Sequence, residues 1–114
     1  MALKVQPVRR PEWSPVPQEG CLNVESKALL ALDHLGVAML KFGRNGTIHP
    51  HPAPFDIDVV CLEGQGMTSV DDEQAAISAG QLVRWPANAV HRLWTEEHEM
   101  MTLMLEHVGT RKGT

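Results

Sequence analysis

The sequence is poor in the residues that build stacking surfaces and membrane spans. Its 114 residues include no tyrosine, two phenylalanines and three tryptophans. Proteins that bind single-stranded nucleic acid combine a basic groove with aromatic side chains, whereas this chain has a formal net charge of -4 and no basic stripe. It also lacks the run of about 18 apolar residues that a membrane-spanning helix needs. We therefore expect neither a nucleic acid nor a membrane as a partner.

Cysteines are scarce, and the start of the chain does not look like a secretion signal. Residues 1–17 are basic but lack the apolar stretch of a signal peptide. Cys21 and Cys61 are far apart in the sequence, and two cysteines in a cytosolic chain are more often free thiols than a disulfide. The interpretation is a cytoplasmic protein with two free thiols, with Cys61 packed in the core because it lies in an apolar run.

Prolines and glycines divide the chain into short segments. Residues 1–20 carry four of the eight prolines, and proline lacks the amide that helices and central strands need. Beyond residue 20, apolar runs recur about every 8–12 residues, which is typical of an all-β sandwich or barrel. We expect a proline-rich extended arm over residues 1–20, one barrel domain over 21–108 and a flexible tail over 109–114.

Turn-forming residues set the expected boundaries of the strands. We predict turns at 43–46 and 64–66, and a hairpin that joins 67–70 to 74–77 through an acidic turn. The segment 96–104 admits a second interpretation, a short helix, because it is rich in Glu, Met and Leu. The remaining predicted strands are 21–32, 36–42, 55–63, 81–85, 90–95 and 100–107.

Three histidines are spaced as metal ligands would be. His49 and His51 form a His-X-His pair, and residues two apart in a strand point to the same face. His91 begins a later strand, after the turn at 85–89. Imidazole binds Fe, Mn, Ni and Zn, and three imidazoles leave coordination positions open for water or substrate. The spacing favours a shared site, and the alternative is a set of histidines that line a polar pocket without metal.

The residues around the His-X-His pair resemble the first motif of the cupin superfamily. That motif reads Gly, five residues, His-X-His, three or four residues, Glu, six residues, Gly. In this chain Gly43 precedes His49 by five residues, and the stretch ends at Gly64.

A second cupin motif follows at the expected distance. It reads Gly, five residues, Pro-X-Gly, two residues, His, three residues, Asn. Gly80, Pro86, Asn88, His91 and Thr95 occupy these positions, with Asn88 replacing a glycine in a turn where asparagine tolerates the left-handed conformation. The resemblance implies an all-β, double-stranded β-helix fold, also called a cupin or jelly-roll barrel.

The carboxylate of the first motif is the one departure. Counted forward from His51, its position belongs to Asp56, but counted backward from Gly64 it belongs to Ile57. A β-bulge would absorb the extra residue and turn Asp56 inward, with Asp58 as a second candidate. Without a bulge, Ile57 faces inward and the site has three histidines and no carboxylate.

The resemblance implies a divalent metal (Fe, Mn, Ni or Zn) held by His49, His51, Asp56 and His91. Such a cupin would act as a dioxygenase, isomerase or lyase on a small organic molecule in the barrel, and would form a homodimer. A general base is not evident, and His107 is the spare candidate. The alternative is a non-catalytic cupin that binds a small ligand or has a structural role with a degenerate metal site.

Overall fold

The computed structural model describes residues 3–109, and within this range the chain forms eight β-strands and no helix. No described helix therefore has the length and apolar character to cross a membrane. The strands are β1 (Arg10–Pro15), β2 (Leu22–Ala31), β3 (Gly36–Thr47), β4 (Ile57–Val70), β5 (Glu73–Ser78), β6 (Leu82–Trp85), β7 (His91–Trp94) and β8 (Met100–Glu106).

Four of these strands close the sheet on itself. β3 pairs antiparallel with both β7 and β8, and β4 pairs antiparallel with the same two strands. β1 and β2 extend the sheet beside β3, while β5 and β6 lie against β4. The result is a closed all-β barrel with extra strands, a jelly roll, as the sequence predicts.

The core follows from strict alternation along the long strands. In β4, Ile57, Val59 and Cys61 are buried, and in β8 Met100 and Met104 are buried on the same inward stripe. Residues two apart share one face of a strand, so each strand supplies one apolar row to the interior. Both cysteines are free and Cys61 is fully buried, which confirms the expectation for the thiols.

Two predicted turns are wrong, because strands continue through them. β3 runs on to Thr47 across 43–46, with Asn45 at φ 55° and its amide donating to Glu96 O. β4 runs without a break across 64–66, with Gly64 at φ 77° and a register shift against β8 just before it. Bulges with positive φ bend a strand without ending it, and their residues look like turn residues in a sequence.

The predicted hairpin is confirmed, and the helical interpretation of 96–104 is not. β4 and β5 pair from Gln65 to Val70 around a turn in which Asp71 has φ 52°. β8 begins at Met100 and pairs with both β3 and β4. Pairing on both sides satisfies the backbone of this segment, and its Met and Leu side chains then fill the barrel instead of a helix face.

Part of the proline-rich segment is a strand at the edge of the sheet. β1 pairs antiparallel with β2, with a register shift between Arg10 and Ser14. Trp13 lies beneath two lysines, with Lys27 Nζ at 4.7 Å and Lys41 Nζ at 4.6 Å from its ring centre. Cations over an indole face are attracted by the ring quadrupole, so Trp13 fastens the segment to the outer face of β2 and β3.

Candidate functional site

The three histidines singled out by the sequence line one cavity of about 280 Å³. The three histidines form one part of its lining, which we call the histidine wall (His49, His51 and His91). The rest of the lining is mainly apolar and consists of Val16, Gln18, Glu19, Cys21, Leu40, Ile48, Ile57, Trp85, Met104 and Glu106.

His51 and His91 are brought together by their backbones. Each donates its amide to the carbonyl of the other, at 3.2 and 3.1 Å, forming an isolated antiparallel bridge. Directly paired residues place their side chains on one face, and the two rings meet edge to face with centres 4.7 Å apart. His51 Nδ1 lies 2.7 Å from the His49 carbonyl, so Nδ1 is the donor and the Nε2 of the neutral ring carries the free lone pair.

His91 is the buried member of the wall, with 2% of its surface exposed. Its ring stacks on Trp85, with centres 4.0 Å apart and planes 9° from parallel. Burial, followed by the neighbouring His51, lowers the pKa of His91 to about 4. Its Nδ1 is buried without a hydrogen-bond partner among the described residues. An unpaired buried polar atom costs free energy.

His49 stands at the exposed edge of the cavity, against the segment that precedes β2. Its amide lies 3.4 Å from Cys21 Sγ, which accepts the hydrogen bond. Gly20 has φ 87°, and a side chain there would lie 2.8 Å from His49 Nδ1. The absence of a side chain at Gly20 therefore lets the chain pass directly over His49, and this contact brings Cys21 into the cavity lining.

Ile57, and not Asp56, faces the cavity. Ile57 is buried and lines it, so no bulge turns Asp56 inward. Asp56 Oδ1 instead accepts the amide of Ala87 at 2.8 Å, and its other oxygen lies 3.6 Å from Arg84. This carboxylate thus fixes the turn that leads to β7, in which Asn88 has the expected positive φ of 69°.

Glu106 is the cavity residue that sequence reasoning missed. It lies at the end of β8 and lines the same cavity as the three histidines. Burial raises the pKa of its carboxyl above the ordinary 4.5. The signal that could have found it is the alternation of β8, because Glu106 continues the inward positions of Met100, Thr102 and Met104.

The cupin-domain family matches residues 36–107, which cover both motifs and β3 to β8. This chain is a member of the cupin family. The match confirms the resemblance inferred from Gly43, the histidines and the turn before β7. A comparison with the curated proteins found no match.

Solved cupin structures share this barrel. The polyketide cyclase RemF from Streptomyces resistomycificus has a TM-score of 0.80 at 16% identity, covering 95% of this chain and 80% of RemF. A structure of the DMSP lyases RdDddP and RnDddQII has a TM-score of 0.75 at 21% identity, with 90% and 59% covered. A cupin 2 conserved barrel domain protein from Leptotrichia buccalis is 33% identical with a TM-score of 0.68, covering 78% of this chain and 42% of that protein.

The donor atoms present decide whether the metal implied by the cupin family fits the cavity. His51 and His91 approach each other, but His49 is exposed and the Asp56 carboxylate is engaged outside the cavity. Across residues 3–109, no group of three or more His, Cys, Asp and Glu side chains is arranged to hold a metal ion. As they stand these side chains do not fit a metal, and the ligand set inferred from the sequence stays a prediction.

The outward face of the same strands carries a second polar cluster. Asp58 receives two hydrogen bonds from Arg84, at 2.9 and 2.7 Å, and its Oδ2 lies 2.8 Å from His107 Nε2. The hydrogen bonds from Arg84 lower the pKa of Asp58 to about 2, with a further contribution from His107. His107, the spare base suggested by the sequence, is therefore paired with Asp58, and it does not line the cavity.

A larger open groove of about 830 Å³ lies where β8 begins. Glu25, Lys41 and Arg44 line it together with parts of β4 and β8, but none of the three histidines does. Lys41 and Glu25 pair with each other at 3.4 Å. Because none of the three histidines lines it, this groove is a weaker candidate than the histidine cavity.

Proposed function

We propose that this cupin binds a small organic molecule in the histidine cavity and converts it by isomerase, cyclase or lyase chemistry. The observation that carries the proposal is a cavity of about 280 Å³ that three histidines line together with apolar and aromatic side chains. Imidazole nitrogens donate and accept hydrogen bonds. A ligand with a polar group directed at the histidine wall would hydrogen-bond with these imidazoles.

The lining residues outside the histidine wall indicate what the remainder of the ligand should be like. Leu40, Ile57 and Met104 present apolar surface, and Trp85 adds an aromatic face. Binding sites combine such surfaces with a few polar groups that fix orientation. The volume of about 280 Å³ is close to the lower limit of ligand pockets. The proposed ligand is therefore small, mostly apolar and polar at one end.

Two of the structural neighbours support the reaction classes. RemF is a cyclase and the DMSP enzymes are lyases. One fold hosts many chemistries. The proposal of these two reaction types therefore depends on the cavity as well as on the shared barrel. The donor arrangement supports a second candidate, a cupin that binds its ligand without turnover, because the side chains present do not form a metal site.

Ligand-observed NMR with a library of small planar heterocycles and ketones tests binding. We expect binders that shift the indole N–H signal of Trp85, and we expect His91→Phe to weaken their affinity because the polar partner is lost. Trp94→Phe is the matched control, since Trp94 lies outside the cavity beneath Arg92. A library in which no compound perturbs Trp85 would contradict the proposal.

Metal analysis by mass spectrometry tests the ligand set inferred from the sequence. Wild type is compared with the double variant His49→Ala, His91→Ala, each after incubation with Fe, Mn, Ni or Zn and desalting. Close to one equivalent that is lost in the double variant would establish the metal site and return dioxygenase chemistry to consideration. No retained metal in either protein would contradict the metal prediction. Any reaction in the cavity would then depend on its own side chains.

A homodimer and a cytoplasmic location complete the proposal. Leu22 and Leu82 are 63% and 60% exposed, and β1 and β5 are the ends of the main strand order. Exposed apolar side chains and open strand edges are surfaces that a second copy would protect. Light scattering after size exclusion would contradict the dimer if it gave the mass of one chain.

A further inference from the structure

Glu106 occupies an inward position at the end of β8. The inward row of this strand consists of Met100, Thr102 and Met104, all buried, and Glu106 is the next position in the same alternation. The acid therefore projects into a lining that is otherwise mainly apolar on this side. A carboxyl group at such a position costs free energy, and packing alone would favour another methionine or leucine.

The neighbouring strands leave space for this carboxyl group. Glu106 pairs in register with Gly36 of β3 on one side and with Ile57 of β4 on the other. A side chain at position 36 would lie 3.1 Å from Glu106 Oε1. Glycine at this position thus accommodates the acid, and Ile57 offers it no polar group.

The Glu106 carboxyl forms no hydrogen bond or ion pair with any other described residue. The next residue in the chain, His107, pairs with Asp58 in the outward cluster. The other titratable groups that line the cavity are Glu19, Cys21, His49, His51 and His91. Among the described residues, no Lys or Arg lines the cavity.

We propose that Glu106 is the general base of this cavity, and that its substrate is a carbon acid whose C–H bond is next to a carbonyl or a comparable electron-accepting group. This inference rests on the proposed function and deepens it. A desolvated carboxylate is a stronger base than one in water, and burial raises the pKa of Glu106. Its place in the same cavity as the histidine wall lets one ligand contact both.

The proton transfer balances without a redox partner. The Glu106 carboxylate takes the proton, and the electron pair of the C–H bond moves to the accepting oxygen, which the histidine wall faces. Return of the proton to another carbon gives an isomer. In an elimination, this electron pair returns to form a C=C bond, the leaving group on the neighbouring carbon departs with the electrons of its own bond, and Glu106 then releases its proton to water.

Elimination of 5-nitrobenzisoxazole is a direct probe of such a base. A carboxylate removes the proton from C3, the N–O bond breaks, and the electron pair leaves on oxygen to give 2-cyano-4-nitrophenolate, which is followed by its absorbance. Binding is measured separately with 5-nitroindazole, which has no ring N–O bond to break, from the Trp85 indole signal in the NMR spectrum. Both probes are planar and small.

We expect wild type to accelerate the elimination and Glu106→Gln to lower the rate by about 100-fold or more, the contribution typical of general-base catalysis. The rate should rise with pH through a midpoint above the ordinary 4.5 of a glutamate, because the deprotonated form is the base. Glu106→Asp should give an intermediate rate. Glu63→Gln, on an exposed part of β4, is the matched control and should equal wild type.

The outcomes separate the two proposals. Binding of 5-nitroindazole with equal elimination rates in wild type and Glu106→Gln would overturn the role of Glu106 and leave the ligand cavity standing. No binding and no acceleration by folded wild type would overturn both. Loss of the rate in Glu106→Gln with binding retained would support the general base, because a merely structural role would lower binding as well.

Discussion

Two acids at the same end of the barrel experience opposite environments. Asp58 on the outward face is held by Arg84 and His107, and its pKa falls to about 2. Glu106 on the inward face has no partner, and burial raises its pKa. Ile57 pairs with Glu106 in register, and Asp58 is the next residue of β4. Groups whose surroundings push their pKa values apart mark a division of roles.

The histidines repeat this contrast. His107 is paired with Asp58, whereas His91 has a buried nitrogen without a partner among residues 3–109. Polar groups that satisfy one another stabilise a fold, whereas a buried polar group left unsatisfied costs stability. The outward cluster is therefore assigned to stability and the cavity to function, and three predictions test this division.

The largest effect is expected for Trp85→Ala. Trp85 is 1% exposed, stacks on His91 and donates from Nε1 to Thr68 Oγ1 at 2.9 Å. Removing a buried aromatic side chain lowers the free energy of unfolding by about 3–5 kcal/mol. Urea denaturation measures this loss in the free energy of unfolding. Trp94→Ala, at a half-buried position, should cost clearly less, and equal losses would contradict the assignment of Trp85 to the cavity wall.

Asp58→Asn should have a smaller effect that depends on pH. Because the folded pKa of Asp58 is depressed from 3.8 to about 2, its contribution is complete above pH 3.8 and is lost as pH falls through 2. We expect the free energy of unfolding at pH 7 to fall by about 1–2 kcal/mol, with the difference from wild type vanishing near pH 2.

The control for Asp58 is Asp72→Asn, in the exposed turn after β4, which should change stability little at any pH. Thermal unfolding across a pH series compares the three proteins. A constant difference between wild type and Asp58→Asn from pH 7 to pH 2 would contradict the pairing of Asp58 with Arg84 and His107.

The smallest effect on stability is expected when a histidine is replaced by phenylalanine in each of the two regions. The two changes in stability should have opposite signs. His91→Phe keeps a ring against Trp85 and removes the unpartnered nitrogen, so stability should be unchanged or rise by up to about 1 kcal/mol. His107→Phe removes a partner of Asp58 and should lower stability by a similar amount. Chemical denaturation of both variants measures the sign of each change in the free energy of unfolding. A loss of stability in both would show that His91 is also paired for stability.

Sequence patterns predicted much of the barrel and part of the site. Regular turn spacing and the two histidine motifs predicted an all-β jelly roll and the cupin family, and placed His49, His51 and His91 together. The errors concern local geometry. Gly64 and Asn45 have the positive φ of turn residues, but hydrogen bonds to neighbouring strands keep β4 and β3 continuous there.

The sequence by itself determined the alternation of inward and outward side chains, because successive residues of a strand point to opposite faces. It left Asp56 and Ile57 as alternatives for the inward position. Only the tertiary structure decided between them, since the amide of Ala87 and the side chain of Arg84 hold Asp56 outside. It also decided the place of Glu106 in the cavity lining, because its position beside Gly36 depends on a strand distant in sequence.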